Sequence, residues 1–92
     1  MYYLKVLWDH NFEDQPSAIY SEIDAEGWEV RKVEIFRDGH STFADRMGST
    51  GNTILGEKEI DIRKVQSSDG LTFTEISHQS FEQIWKSLKI DR

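Results

Sequence analysis

Trp28-Glu-Val-Arg-Lys-Val-Glu-Ile-Phe-Arg-Asp-Gly39 decides the fold. The run is rich in β-branched and aromatic residues and closes on Asp38-Gly39, a strong short-range hairpin signal. On its N-terminal side, Ile19-Tyr-Ser-Glu-Ile23 is joined to it by the short Asp24-Ala-Glu-Gly27 link. The stretch therefore reads as a central strand with a partner on each side.

Pairing Ile23 with Trp28 sets Ser21 against Val30 and Tyr20 against Arg31. Ile19, Ile23, Trp28 and Val30 then share one face, and Tyr20, Glu22, Glu29 and Arg31 the other. Glu22 would oppose Glu29, which is unfavourable unless Arg31 lies between them. Further along, the apolar residues change phase, from Trp28 and Val30 to Val33 and Ile35. Either a bulge near Arg31 or Lys32 shifts the strand by one residue, or both faces of the sheet are partly covered. The bulge is the preferred reading, because so small a domain has little material for two faces. A two-residue Asp38-Gly39 turn would place Phe43 opposite Glu34 and Asp45 opposite Lys32.

Outward from this centre, Tyr2-Tyr-Leu-Lys-Val-Leu-Trp8 alternates, and its even positions read as the buried side of a strand. Asp9 to Ser17 is polar, holds the only Pro and reads as a loop. Ser41 to Met47 is a strand, and Gly48-Ser-Thr-Gly-Asn52 a flexible loop. Thr53 to Lys58 reads as a short strand, Ile60 to Val65 as a strand by composition or, by the family resemblance described below, a short helix, and Ser67 to Gly70 as a loop; the helix is the preferred reading. Thr72 to Ile76 is the last strand. Ser77 is placed to cap a helix over His78 to Leu88, whose Phe81, Ile84, Trp85 and Leu88 form one apolar stripe. The expected architecture is α+β: one domain over residues 1–92, a twisted antiparallel sheet of four to five strands, and the C-terminal helix packed on one face.

With 37% hydrophobic residues, three Trp, three Tyr and five Phe, the chain of 92 residues can build a core. It has no Cys, which excludes disulfides, thiolate metal sites and a cysteine nucleophile. No signal peptide or membrane-spanning run is evident, so a cytoplasmic location is expected. Seventeen acids against eleven bases give a net charge of −6. Such a field disfavours nucleic acid and anionic membranes, and it speeds encounter with basic partners. The same charge also suits ordinary solubility.

No catalytic constellation emerges. His10, His40 and His78 lack zinc spacing, and the Gly48–Asn52 loop lacks the setting of a phosphate cradle. No motif nominates a nucleophile, and no cofactor or metal is implied. The candidate partner-binding patch is Tyr20, Glu22, Glu29 and Arg31, where Tyr and Arg are residue types enriched in binding hot spots. The bland counterpart is a solvated sheet face with a Glu–Arg network.

Tyr3-Leu-Lys-Val-Leu-Trp8, Ile19-Tyr-Ser-Glu-Ile-Asp24, the Trp28–Gly39 stretch, Leu55-Gly-Glu57 and Glu75-Ile-Ser-His-Gln-Ser-Phe-Glu-Gln-Ile-Trp85 together resemble a small, widely distributed bacterial family of uncharacterised domains. The tryptophan-to-glycine signature W-E-V-R-K-V-E-x-F-x-D-G is its most specific part. The resemblance implies a stand-alone cytoplasmic domain, a closing strand–helix unit and no catalytic residue. Small bacterial domains of this kind often serve as immunity proteins of contact-dependent growth inhibition. The resulting expectation is a non-enzymatic immunity protein, a monomer or weak dimer, that occludes the active site of a basic toxin of the nuclease class. The alternatives are a ligand-binding domain or enzyme with a pocket near Trp8, His10 and Trp28, and a module that dimerises through a strand edge.

Overall fold

The first strand is flanked on one side by its neighbour in sequence and on the other by a strand from the far end of the chain. The computed structural model describes residues 1–9, 15–50, 53, 55–56 and 70–88. Its strands are β1 (Tyr2–Trp8), β2 (Ala18–Ile23), β3 (Glu29–Ile35), β4 (Ser41–Asp45), β5 (Gly48–Ser49) and β6 (Leu71–Glu75), followed by helix α1 (His78–Ser87). They form one sheet in the order β5-β4-β3-β2-β1-β6, and every pairing is antiparallel. The α+β class is as expected, but the sheet has six strands rather than four or five. The extra one is the two-residue β5, which falls where the sequence suggested only a loop. Asp45 makes the turn into it, its Oδ1 accepting from the N–H groups of Met47 and Gly48. The short strand and helix expected between Thr53 and Val65 fall largely outside the described residues.

Both hairpins around β3 form, each with a register different from the sequence reading. Between β2 and β3, Glu22 pairs with Arg31 and Ile23 with Glu29, so Val30 is the extra residue of a bulge. The bulge was expected one or two residues later. Because side chains alternate, it puts Glu29 on the face of Ile23 and leaves Arg31 on the face of Glu22. Glu22 and Glu29 therefore never oppose each other. At the other end, Phe36 N–H donates to His40 C=O (3.0 Å), and Gly39 N–H donates to Phe36 C=O (2.9 Å). The connection has three residues, Arg37, Asp38 and Gly39, with Gly39 at φ 92°. A three-residue hairpin loop needs this left-handed conformation at its last position, which glycine adopts without steric cost. The ladder shifts by one residue: Phe43 faces Val33, and Lys32 faces Ala44, not Asp45.

The shifted registers give the sheet two apolar faces. On the first, Tyr3, Val33 and Phe81 of α1 are buried. On the second, Leu4, Val6 and Ile23 cluster with Ile19, Leu71 and Phe73. A bulge and two-sided coverage were read as alternatives, and the molecule has both. The polypeptide after β5 returns to the second face, where Thr53 is buried with its hydroxyl 2.5 Å from that of Thr42.

The helix forms as its sequence dictates. Ser77 caps it, its Oγ accepting from Ser80 N–H at 3.0 Å. Of the apolar stripe, Phe81 is fully buried, and Ile84, Trp85 and Leu88 are partly covered.

Candidate functional site

Where α1 crosses the sheet, a cation is held between carboxylates and aromatic rings. Strands β2 and β3 set Glu22 beside Arg31, and β1 adds Tyr3, the cross-strand neighbour of Glu22. Arg31 Nε donates to Glu22 Oε1 at 2.7 Å, and Arg31 Nη2 donates to Glu22 Oε2 at 2.8 Å. This is the two-pronged geometry that suits guanidinium and carboxylate. Tyr3 Oη donates to Glu22 Oε2 at 2.9 Å. Helix α1 supplies Glu82, whose Oε1 accepts from Arg31 Nη2. The helix also supplies Phe81 and Trp85, whose ring centroids lie 4.9 and 5.0 Å from the guanidinium carbon. Phe43 of β4 meets Trp85 edge-on at 5.7 Å.

The electrostatics follow from this geometry. Hydrogen bonds from Arg31 hold the Glu22 carboxyl below its ordinary pKa against the opposing effect of burial. The Glu82 carboxyl is lowered by the same guanidinium. Arg31 is raised in return by its bonds to Glu22 and stays charged. Burial raises the Tyr3 hydroxyl, and its bond to Glu22 adds to the rise. His78 joins the margin, its ring 5.2 Å from that of Tyr3 and its Nε2 3.3 Å from Glu82 Oε1. The cluster is a clamp between helix and sheet, with its polar atoms directed at one another.

A second, smaller cluster lies on the opposite face. Glu29 accepts from Ser21 Oγ (2.9 Å) and from Gly56 N–H (2.5 Å), and it pairs with Lys32 Nζ at 3.0 Å. A Cβ on Gly56 would stand 2.5 Å from Glu29 Oε1, so a larger residue there would push the carboxylate aside.

The four residues singled out from sequence are thus divided. Tyr20, Glu22 and Arg31 share the helix face, and Glu29 lies on the other. Glu22 is 6% exposed and Glu29 is 9% exposed, each with its carboxylate engaged inside the fold. Tyr20 is half-buried, with Lys5 Nζ 5.9 Å from its ring centroid. The sequence reading missed Tyr3, Phe81, Glu82 and Trp85 as members of the cluster. The spacing of Glu82 to the Phe81–Trp85 stripe was the available signal, since it puts a carboxylate at the margin of the packed surface.

A pocket shared by Trp8 and Trp28 is ruled out by the ladder. Trp8 follows the Leu7–Ala18 pair at one end of β2, and Trp28 lies beyond Ile23 at the other. His10 lies outside the described residues. A cleft of about 410 Å³ opens instead between β4 and the end of α1, lined by Ser41, Thr42, Phe43, Thr50, Ser87 and Leu88. Among the described residues, no group of three His, Cys, Asp or Glu could hold a metal ion. No helix among them is long and apolar enough to cross a membrane.

Fold and clamp define a small α+β domain built on one antiparallel meander with its C-terminal helix fixed by an ionic–aromatic cluster. The chain belongs to the family described as a domain of unknown function, DUF6881, whose model matches residues 2–89. No curated protein and no solved structure matches it.

Proposed function

We propose that the protein works by stoichiometric binding, as a cytoplasmic immunity protein that neutralises a basic bacterial toxin of the nuclease class by covering its active site. One observation carries this reading, the charge surplus left over from the internal clusters. The two internal clusters hold three acids (Glu22, Glu29, Glu82) and two bases (Arg31, Lys32), so they leave most of the net charge of −6 to the rest of the chain. A net negative charge attracts a basic protein over roughly a Debye length, ~8 Å at physiological salt. It raises the association rate, which is what an inhibitor of a lethal enzyme requires. A sheet locked on both faces also suits a preorganised binder, since little ordering remains to be done on association.

The test is protection. The region upstream of the gene is searched for a large toxin gene, the chain is coexpressed with the toxin domain found there, and survival and copurification are scored. Cells survive and the two proteins copurify under this reading. Death of the cells together with separate elution of the two proteins overturns it.

A further inference from the structure

One edge of the sheet is left incomplete where the helix ends. Strand β5 pairs with Ala44 and Asp45 of β4. Thr50 extends that cover by one step. Its N–H donates to Phe43 C=O (2.8 Å), and its Oγ1 accepts from Phe43 N–H (3.0 Å). There the chain turns away. Thr53 N–H donates to Thr50 C=O (3.3 Å), and the Thr53 hydroxyl meets that of Thr42 on the opposite face. Ser41, the next residue of β4 with main-chain groups on this edge, is left uncovered.

The ladder fixes where those groups point. Facing residues of an antiparallel pair alternate between bonded and non-bonded. Phe36 N–H donates to His40 C=O, so Phe36 and His40 form a bonded pair, Ile35 and Ser41 a non-bonded one, and Glu34 and Thr42 the next bonded one. Ile35 C=O accordingly accepts from Ser17 N–H on the β2 side. The N–H and C=O of Ser41 point away from β3, and no described residue pairs with them. They open on the cleft of about 410 Å³ between β4 and the end of α1. Phe43 and Leu88 wall this cleft, and Trp85 meets the Phe43 ring edge-on. Thr50 and Ser87 add hydroxyls. The Thr50 oxygen accepts from Phe43 N–H, which leaves its proton to donate. Ser87 Oγ donates to Ile84 C=O (2.6 Å), which leaves its lone pairs to accept. None of the six lining residues is charged.

A residue that offers N–H and C=O side by side is matched by one residue of an extended chain, which returns both bonds. The open stretch is a single row long. The next position on this edge, Gly39, belongs to the hairpin loop and gives its N–H to Phe36. So short a gap suits a narrow peptide segment better than a second sheet edge. The C-terminal end of α1, with its partial negative charge, disfavours an anion there.

We propose that this gap in the β4 edge binds an uncharged, extended peptide segment, one residue of which pairs with Ser41 and lays its side chain against Phe43 and Leu88. The site does not depend on the toxin reading above, since no basic group takes part in it.

The probe is an acetylated, amidated tripeptide with valine between two alanines, titrated into the full chain while backbone amide resonances are followed. The Ser41, Phe43 and Thr50 signals are expected to move saturably, with the same affinity at low and high salt. The same peptide N-methylated at valine cannot donate to Ser41 C=O and is expected to bind roughly fivefold more weakly. Ser87→Tyr, made at an exposed helix position, fills the cleft and should abolish saturation, while the spectrum reports whether the variant is folded. No saturable shift at these three residues, equal affinity for the N-methylated peptide, or undiminished binding by folded Ser87→Tyr overturns the site. An affinity that falls with salt, or Ser41 signals that move with protein concentration alone, overturns the uncharged peptide as its occupant. The N-methyl comparison decides the matter even where Ser87→Tyr fails to fold. None of these failures touches the toxin reading, which the coexpression assay tests separately.

Discussion

The two faces of the sheet are held by different physics. Beneath α1, the contact is ionic and aromatic: Tyr3, Glu22, Arg31 and Glu82 bonded in series, with Phe81 and Trp85 against the guanidinium. On the opposite face, Leu4, Val6 and Ile23 pack with Ile19, Leu71 and Phe73, and the Glu29–Lys32 pair borders them, Glu29 being the cross-strand partner of Ile23. Apolar packing is non-directional and adapts to small errors. A desolvated charge does not, because it needs each partner in place. The first face therefore specifies where the helix sits, and the second contributes cohesion.

This contrast can be broken most severely at Phe81. Truncation to Ala removes a fully buried ring and is expected to cost about 4 kcal/mol in denaturant unfolding. Ile23→Ala, on the other face, should cost about 3 kcal/mol by the same measurement. The comparison sharpens at Arg31. Arg31→Ala should destabilise by about 3 kcal/mol, because it leaves Glu22 desolvated and without its cation. The pair Arg31→Met with Glu22→Gln should cost much less than the sum of the single changes, and additivity in that cycle would show that the ion pair is not the organising contact. Gly56→Ala should cost about 2 kcal/mol through the clash with Glu29.

The pH dependence separates the faces again. Glu22 and Glu82 have folded-state pKa values below those of the unfolded chain. The stability they add is complete above the ordinary carboxylate pKa, about 4.3, and is lost as the pH falls through their lowered values. Acid unfolding should therefore be blunted in Glu22→Gln and unchanged in slope in Ile23→Ala. The smallest effect is expected at the cap, where Ser77→Ala should cost about 1 kcal/mol, read as a lower melting temperature.

The parts of the fold legible in the sequence were those governed by local chemistry. Ser77 and the Phe81–Leu88 stripe are sufficient to place α1, and the Asp24–Gly27 and Asp38-Gly39 turns to place β2, β3 and β4. Register was less legible. The alternation of β3 shows that the phase slips somewhere, but whether the slip occurs at Val30 or at Lys32 depends on which carboxylate Arg31 meets, and that is a tertiary contact. The same single residue decided the candidate patch. With Val30 bulged, Glu29 passes to the far side and Glu22 turns under the helix that starts only at His78, which no pattern within the hairpin encodes. Trp28 was misplaced for the same reason, since pairing Ile23 with Glu29 sends Trp28 to the face opposite Ile23.

The placement of β6 against β1 has a bearing on the order in which the molecule assembles. Strands β1 to β5 are joined neighbour to neighbour, so each pairing closes a short loop. The ladder that sets Leu4 against Glu75 must instead bring the two ends of the chain together, at the larger entropic cost of a long closure. The meander is therefore expected to form first, with β6 and α1 arriving as a late unit that docks onto a preformed edge. Pulse-labelled hydrogen exchange during refolding would resolve the sequence of events: amides of β2 and β3 protected before those of β6 support it, and simultaneous protection refutes it. On this account Arg31 waits on the open sheet, already paired with Glu22, until the helix brings Glu82.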